Sequence, residues 1–235
     1  MVTYLLKKSY HHKTLKEINF KDLWGDKGVF TTMWIFGKPA KILFFKNHIK
    51  NLIKSLKVYK LNKRNIEKDI LKLIKLNISK DRSYNHLLRV AINNKMISIS
   101  MRDRKTPKLK FNLKLINYKR TEPEFKNLKY QFILKYLSKM NSTISDVGLC
   151  YKNKILESGT SNILFVKGDK IYSPEKNVYK GVTYNFFEKK LGIIINKDIL
   201  VNSLSEYDEI LLIGSGKGVA SIETIKDIKW KRKSL

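Results

Sequence analysis

Acidic residues are scarce in this chain and cysteine is almost absent. Only 20 aspartates and glutamates stand against 49 lysines and arginines, a formal net charge of +29 over 235 residues. The one cysteine, Cys150, excludes an intramolecular disulfide framework and any cysteine-based zinc cluster. Its setting, Val147-Gly148-Leu149-Cys150-Tyr151, reads as a strand with a buried thiol. His11-His12 and His86 have no further metal-ligating residues near them in sequence, so no metal site is expected. No apolar run approaches the length of a membrane-spanning helix. The stretch from Met1 to Lys8 puts a short apolar run before its lysines, the reverse of a signal peptide. With 43% apolar residues the chain has material for a real core, and the expectation is a cytoplasmic protein of one large or two small domains.

The positive charge by itself suggests a nucleic-acid or anionic-membrane partner. Yet the lysines are spread along almost the whole chain, and Lys, Ile and Asn share A/T-rich codons. The charge therefore reads as a solvated surface that speeds encounter with a small anionic substrate, and neither nucleic acid nor membrane is expected as a partner.

Apolar periodicity divides the chain into an α+β pattern. Val29 to Phe36 alternates β-formers, Phe36-Gly37-Lys38-Pro39 has turn chemistry, and Ala40 to Phe45 reads as a returning strand. Ile49, Leu52, Ile53 and Leu56 have helical spacing, as do Ile66, Ile70, Leu71 and Ile74. Strands are expected at Leu87–Ile92, Met96–Met101 and Lys108–Asn117. The polar stretch 118–122, before Pro123, reads as a linker between a small domain of residues 1–117 and a larger one of 123–235. In the larger domain a helix is expected from Asn127 to Met140, then strands at Val147–Tyr151, Ile163–Val166 and Ile171–Tyr172. A helix from Thr183 to Leu191, a strand at Glu209–Ile213, the loop Gly214-Ser215-Gly216-Lys217-Gly218 and a strand from Val219 follow. Mostly antiparallel β with helices to one side is the layout this predicts.

Three short segments carry the chemistry. Phe125-Lys126-Asn127-Leu128-Lys129-Tyr130 offers an amine just past the linker. About thirty residues on, Leu156-Glu157-Ser158-Gly159-Thr160-Ser161-Asn162 offers one carboxylate in a Gly/Ser/Thr stretch between apolar runs. Gly181-Val182-Thr183 then opens a helix, with Thr183 placed to cap it and with free N–H groups that suit an anion. In this order, from about Asp26 to Ile225, the pieces resemble the fold-type IV (class IV aminotransferase-like) enzymes of pyridoxal phosphate. That group contains branched-chain aminotransferases, D-amino acid aminotransferases and aminodeoxychorismate lyase. The resemblance implies a two-domain α+β fold, pyridoxal 5'-phosphate as cofactor and a homodimer. It also implies roles. Lys126, in preference to Lys129, matches the lysine that holds the cofactor aldehyde. Glu157 matches the partner of the pyridine nitrogen, and Tyr130 would reach the phenolic oxygen. Ser161 and Asn162 match the loop lining the cofactor, while Val182, Thr183 and Ser215 match its phosphate contacts.

One motif departs from the pattern. The family's His-x-x-Arg-Leu, whose arginine grips the phosphate, reads His48-Ile49-Lys50-Asn51-Leu52 here, so Asn51 brings no charge. Gly28-Val29-Phe30-Thr31-Thr32 bears on the reaction. The aminotransferases commonly have Glu where Thr31 stands, and aminodeoxychorismate lyase often has Thr-Thr and ends soon after its last strand. The resemblance therefore implies a lyase that eliminates pyruvate from 4-amino-4-deoxychorismate to leave 4-aminobenzoate, a step of folate synthesis. Lys126 and Thr32 would be its catalytic residues, with Thr31 and Arg89 binding substrate. The alternatives are a branched-chain or D-amino acid aminotransferase of the same fold, or a degenerate relative with weak cofactor binding.

Overall fold

The computed structural model describes residues 4–61 and 65–234. Met1 to Thr3 of the amino-terminal stretch weighed above, and Leu235, lie outside them. The chain forms two compact units. One is the chain up to Arg104 together with Phe125–Gln131; the other is Lys105–Glu124 with Phe132–Leu235.

The first unit holds β1 (Tyr4–His11), β2 (Glu17–Ile18), β3 (Gly28–Gly37), β4 (Lys41–Ile42), α1 (Phe45–Val58), α2 (Ile66–Asn77), β5 (Tyr84–Asn93) and β6 (Met96–Asp103). Its strands form one sheet in the order β2-β1-β6-β5-β3-β4, every pairing antiparallel. Alternation along β3 sends Val29, Thr31, Met33 and Ile35 to one face and Phe30, Thr32 and Trp34 to the other. Val29, Met33 and Ile35 share a core with Ile49, Leu52 and Leu56 of α1 and with Ile66, Ile70 and Leu73 of α2. Each such side chain contributes about 1.5–3 kcal/mol on full burial, so helical spacing on one side and strand alternation on the other fix the layer. On the opposite face a smaller cluster joins Leu23, Phe30, Ala91 and Leu128, with Trp24 and Tyr130 against it.

The second unit contains β7 (Phe111–Asn117), α3 (Gln131–Leu137, in this unit from Phe132), β8 (Ser145–Tyr151), β9 (Lys154–Ser158), β10 (Asn162–Lys167), β11 (Lys170–Pro174), α4 (Val182–Leu191), β12 (Ile194–Lys197), β13 (Ile199–Leu200), β14 (Glu209–Gly214), β15 (Gly218–Ile225) and β16 (Trp230–Lys231). Its sheet runs β12-β11-β10-β14-β15-β7-β8-β9-β13, with β16 beside β15. The β11/β12, β15/β7 and β7/β8 pairs are parallel and the others antiparallel. The fold is mixed α+β with mostly antiparallel sheets. Among the described residues no helix is long and apolar enough to cross a membrane.

Several elements differ from the sequence expectations. The segment at 108–117 was expected with the first domain, but β7 lies between β8 and β15 in the second sheet. The division between units therefore falls after Arg104, not at 118–122, and Phe125–Gln131 returns to the first unit. Parallel pairing is the reason: it joins strands distant in sequence, which local polarity does not reveal. The strand expected from Ala40 to Phe45 shrinks to β4, because Phe44 adopts a left-handed conformation (φ 53°) and turns the chain into α1. The helix expected from Asn127 begins only at Gln131. Lys126 O accepts from Phe30 N and Leu128 N donates to Gly28 O, each at 2.9 Å, so these residues extend the edge of β3 instead.

Candidate active site

That edge pairing is what places Lys126. Its backbone is fixed beside Phe30, and Nζ lies 5.0 Å from the centre of the Phe30 ring. Lys126 is half-buried, whereas Lys129, the nearest competing amine, is exposed. Tyr130 meets Phe30 edge-on at 5.6 Å and stacks on Trp24 at 5.8 Å, so Trp24, Phe30 and Tyr130 form one aromatic floor.

The two adjacent threonines part company. Thr31 is buried towards α1, and its Oγ1 lies 2.8 Å from Nδ1 of His48. Burial pushes His48 down to about 3, with the charge of Lys126 acting in the same direction, so its ring stays neutral across the physiological range. Thr32 occupies the other face, where its register partner is Arg89. Nη2 of Arg89 donates to both Oδ1 (2.6 Å) and the carbonyl (2.7 Å) of Asp22, its guanidinium lies over Trp24 at 4.2 Å, and its buried Nε has no partner among the described residues. Burial lowers the Arg89 pKa from its usual value, Asp22 opposes that, and Arg102 adds a further push downwards. An unmet buried donor is a cost this guanidinium carries in the folded protein. Asn51 is half-buried on α1, and the neighbouring Lys50 and Lys54 are exposed.

In the second unit Glu157 stands at the end of β9 and is only 6% exposed. Its Oε1 accepts from Nε of Arg120 at 2.6 Å, and Oε2 from the Tyr179 N–H at 3.3 Å. Arg120 also donates through Nη2 to Pro123 O at 2.5 Å. Sequence reasoning missed Arg120. It lies in the polar stretch read as a linker, 37 residues before its partner, and no local pattern announces it.

Asn162 clamps the segment before α4, donating from Nδ2 to Tyr179 O (2.6 Å) and accepting the Gly181 N–H on Oδ1 (3.0 Å). Ser161 is buried, and its N–H donates to Ser158 Oγ at 2.8 Å, closing the turn after Glu157. Gly181 caps α4 with extended backbone and no side-chain hydrogen bond, which leaves first-turn N–H groups of Val182 and Thr183 for an anion. Thr183 Oγ1 and Ser215 Oγ lie 3.2 Å apart, so the two segments expected at a phosphate converge. Within the second unit, then, the structure brings together Glu157, Ser161 and Asn162, and separately Val182, Thr183 and Ser215. Within the first it gathers Lys126, Tyr130, Thr32 and Arg89 on one face and turns Thr31 to the other.

The Amino-transferase class IV family model matches residues 28–225, and the chain belongs to that family. No curated protein is significantly similar in sequence. Solved structures share the fold at low identity. A branched-chain aminotransferase from Thermoproteus uzoniensis, determined with norvaline, is 16% identical with a TM-score of 0.75, covering 96% of this chain and 89% of its own. A putative 4-amino-4-deoxychorismate lyase from Legionella pneumophila is 15% identical with a TM-score of 0.69, the coverage being 87% and 85%. An aminotransferase from Brucella abortus bound to the cofactor PLP is 14% identical with a TM-score of 0.71, the coverage being 97% and 94%.

Proposed function

We propose that this protein is a pyridoxal 5'-phosphate-dependent lyase that eliminates pyruvate from 4-amino-4-deoxychorismate and releases 4-aminobenzoate. The observation that carries the reading is the face of β3 and β5 on which Thr32 pairs with Arg89. It offers a hydroxyl and an incompletely satisfied guanidinium, with Lys126 Nζ over the adjacent Phe30 ring. A carboxylate at the position of Thr31 or Thr32, as aminotransferases of this group commonly carry at the first, is missing.

The residues present fit the cofactor in four respects and depart in one. An amine (Lys126), an acid held by a buried guanidinium (Glu157 on Arg120), an uncapped helix start and a pair of converging hydroxyls are the groups such a molecule needs. Asn51 supplies no charge where an arginine is expected. When bound, the cofactor supplies an electron-accepting ring that stabilises negative charge on the carbon bearing the substrate amine. Glu157 would keep the pyridine nitrogen protonated, and Arg120 holds that carboxylate in place. Thr183, Ser215 and the first N–H groups of α4 would bind the phosphate. Lys126 would hold the cofactor through its amine and would serve as the base for the proton on the amine-bearing carbon of the substrate. Lys126 or Thr32 would deliver a proton to the departing pyruvate fragment, and Arg89 would receive a carboxylate of the small anionic substrate. The reading carries a homodimeric assembly with it.

An aminotransferase is the second reading, favoured by the Thermoproteus and Brucella structures among those sharing the fold. In that case Lys126 would hold the abstracted proton and give it back without any leaving group. Purified protein supplied with pyridoxal phosphate should show a visible absorption band that borohydride removes and that Lys126→Ala lacks, and it should convert aminodeoxychorismate to 4-aminobenzoate. Faster reaction of an amino acid with 2-oxoglutarate would sink the lyase assignment, and absence of the band would leave the degenerate relative.

A further inference from the structure

One fully buried carboxylate has no part in the chemistry above. Asp146, in β8, is 0% exposed. Its Oδ2 lies 2.7 Å from Thr160 Oγ1 and 3.1 Å from Ser158 Oγ, and its Oδ1 accepts the Val147 N–H at 2.8 Å. The Nζ of Lys217 approaches the same Oδ2 at 3.3 Å. Lys217 is only 9% exposed and also lies over the ring of Phe111 at 5.2 Å. Lysine is almost never this buried unless paired.

We infer that Asp146 and Lys217 form an internal strut joining the 214–218 turn to the 158–161 turn, and that this strut sets the spacing between Ser215 and Glu157. The two turns abut independently of the charges: a side chain at Gly214 would come within 3.0 Å of Ser161 Oγ. Ser215 stands two residues before Lys217, and Glu157 directly precedes Ser158. The 214–218 turn contains three glycines, Gly218 with φ +73°, and so has little rigidity of its own. A buried ion pair has few alternatives to the geometry that satisfies it, since either charge left alone inside the protein is costly. The strut therefore holds in register the two ends of the ligand site in this unit: the acid at one end and the Thr183–Ser215 hydroxyls at the other. Asp146 and Lys217 are positioning residues; their effect on cofactor binding rests on the function proposed above, while their effect on the two turns does not.

The test compares wild type with Lys217→Met, Lys217→Arg and Asp146→Asn, each as the full chain. Amide hydrogen exchange is read with and without pyridoxal 5'-phosphate, and the cofactor is titrated separately. In Lys217→Met, amides of both turns should exchange about tenfold faster or more, while Leu212 in β14 keeps its protection. The dissociation constant for the cofactor should rise about tenfold, equivalent to about 1.4 kcal/mol. Lys217→Arg, which keeps the charge, should recover most of the protection in both turns. If Lys217→Met does not fold, Asp146→Asn decides the matter in the same way. Faster exchange confined to 214–218, with 158–161 as protected as before, overturns the strut. Loosening of both turns with unchanged cofactor affinity overturns the claim that the strut sets the spacing between Ser215 and Glu157. A wild-type protein that takes up no cofactor overturns the proposed function instead, and the exchange in the ligand-free protein still decides the strut.

Discussion

Nε of Arg120 donates to Oε1 of Glu157 at 2.6 Å, and both side chains are sealed from solvent. The pair fixes the carboxyl group of the candidate site in one place rather than leaving it to solvent. Its strength lies in mutual satisfaction, because either partner alone would be a buried unpaired charge.

Arg120→Ala should therefore destabilise the protein by about 3–5 kcal/mol, the usual cost of breaking a buried pair by removing one partner. Urea unfolding of the variant and of Arg120→Lys checks this. The lysine variant should recover only part of the loss, since it cannot reach Glu157 and Pro123 O with a planar fork.

The two threonines should separate in their effects. Thr31→Val removes the partner of His48 Nδ1 and should cost about 1–3 kcal/mol of stability, the penalty for an unmet buried polar group. Thr32→Val should leave unfolding nearly unchanged and slow release of 4-aminobenzoate by about 100-fold, as expected on losing a proton-transfer group. Melting curves and product formation, measured side by side, distinguish them. Equal loss of rate in both variants would remove the distinct role proposed for Thr32.

His48 gives a pH dependence of defined sign. Its pKa is about 3 in the folded protein against 6.5 for the free side chain, chiefly because of burial. Between those values the unfolded chain binds more protons, so the contribution is complete above pH 6.5 and is lost as the pH falls towards 3. The slope from this one group is at most about 1.4 kcal/mol per pH unit. Unfolding measured through this range should be less steep in His48→Asn.

Arg89→Lys keeps a charge but loses the planar guanidinium whose Nη2 Asp22 now engages. With a carboxylate-bearing substrate, KM should rise about tenfold or more while kcat changes less, the signature of lost binding shared by ground and transition states. Steady-state kinetics over a range of substrate concentration measures the split. A fall in kcat with unchanged KM would move Arg89 out of the substrate site.

Much of the fold was legible because local pattern dictates it. The spacing of Ile49, Leu52 and Leu56 forecast α1, the alternation of Val29 to Phe36 forecast β3, and the strands expected at Leu87–Ile92 and Met96–Met101 are β5 and β6. β1 escaped notice because Lys7-Lys8 interrupts its apolar residues. β7 was assigned to the wrong unit because its partners, β8 and β15, are chosen by long-range parallel pairing. At the candidate site, Lys126, Glu157, Thr183 and Ser215 stood out by their order along the chain. Arg120, Asp146 and Lys217 did not, since nothing near them in sequence distinguishes a charge that folding will bury from the many that stay in water.

The sequence by itself determined the family, the α+β composition and the order of the chemistry-bearing segments, because periodicity and motif spacing are local properties of a chain. Tertiary structure decided which charges lost their water, that Thr31 and Thr32 serve opposite faces, and that residues 126–128 extend a sheet edge rather than begin a helix. Each of those outcomes depends on a partner many residues away. Burial and hydrogen-bond satisfaction are settled only when that partner arrives.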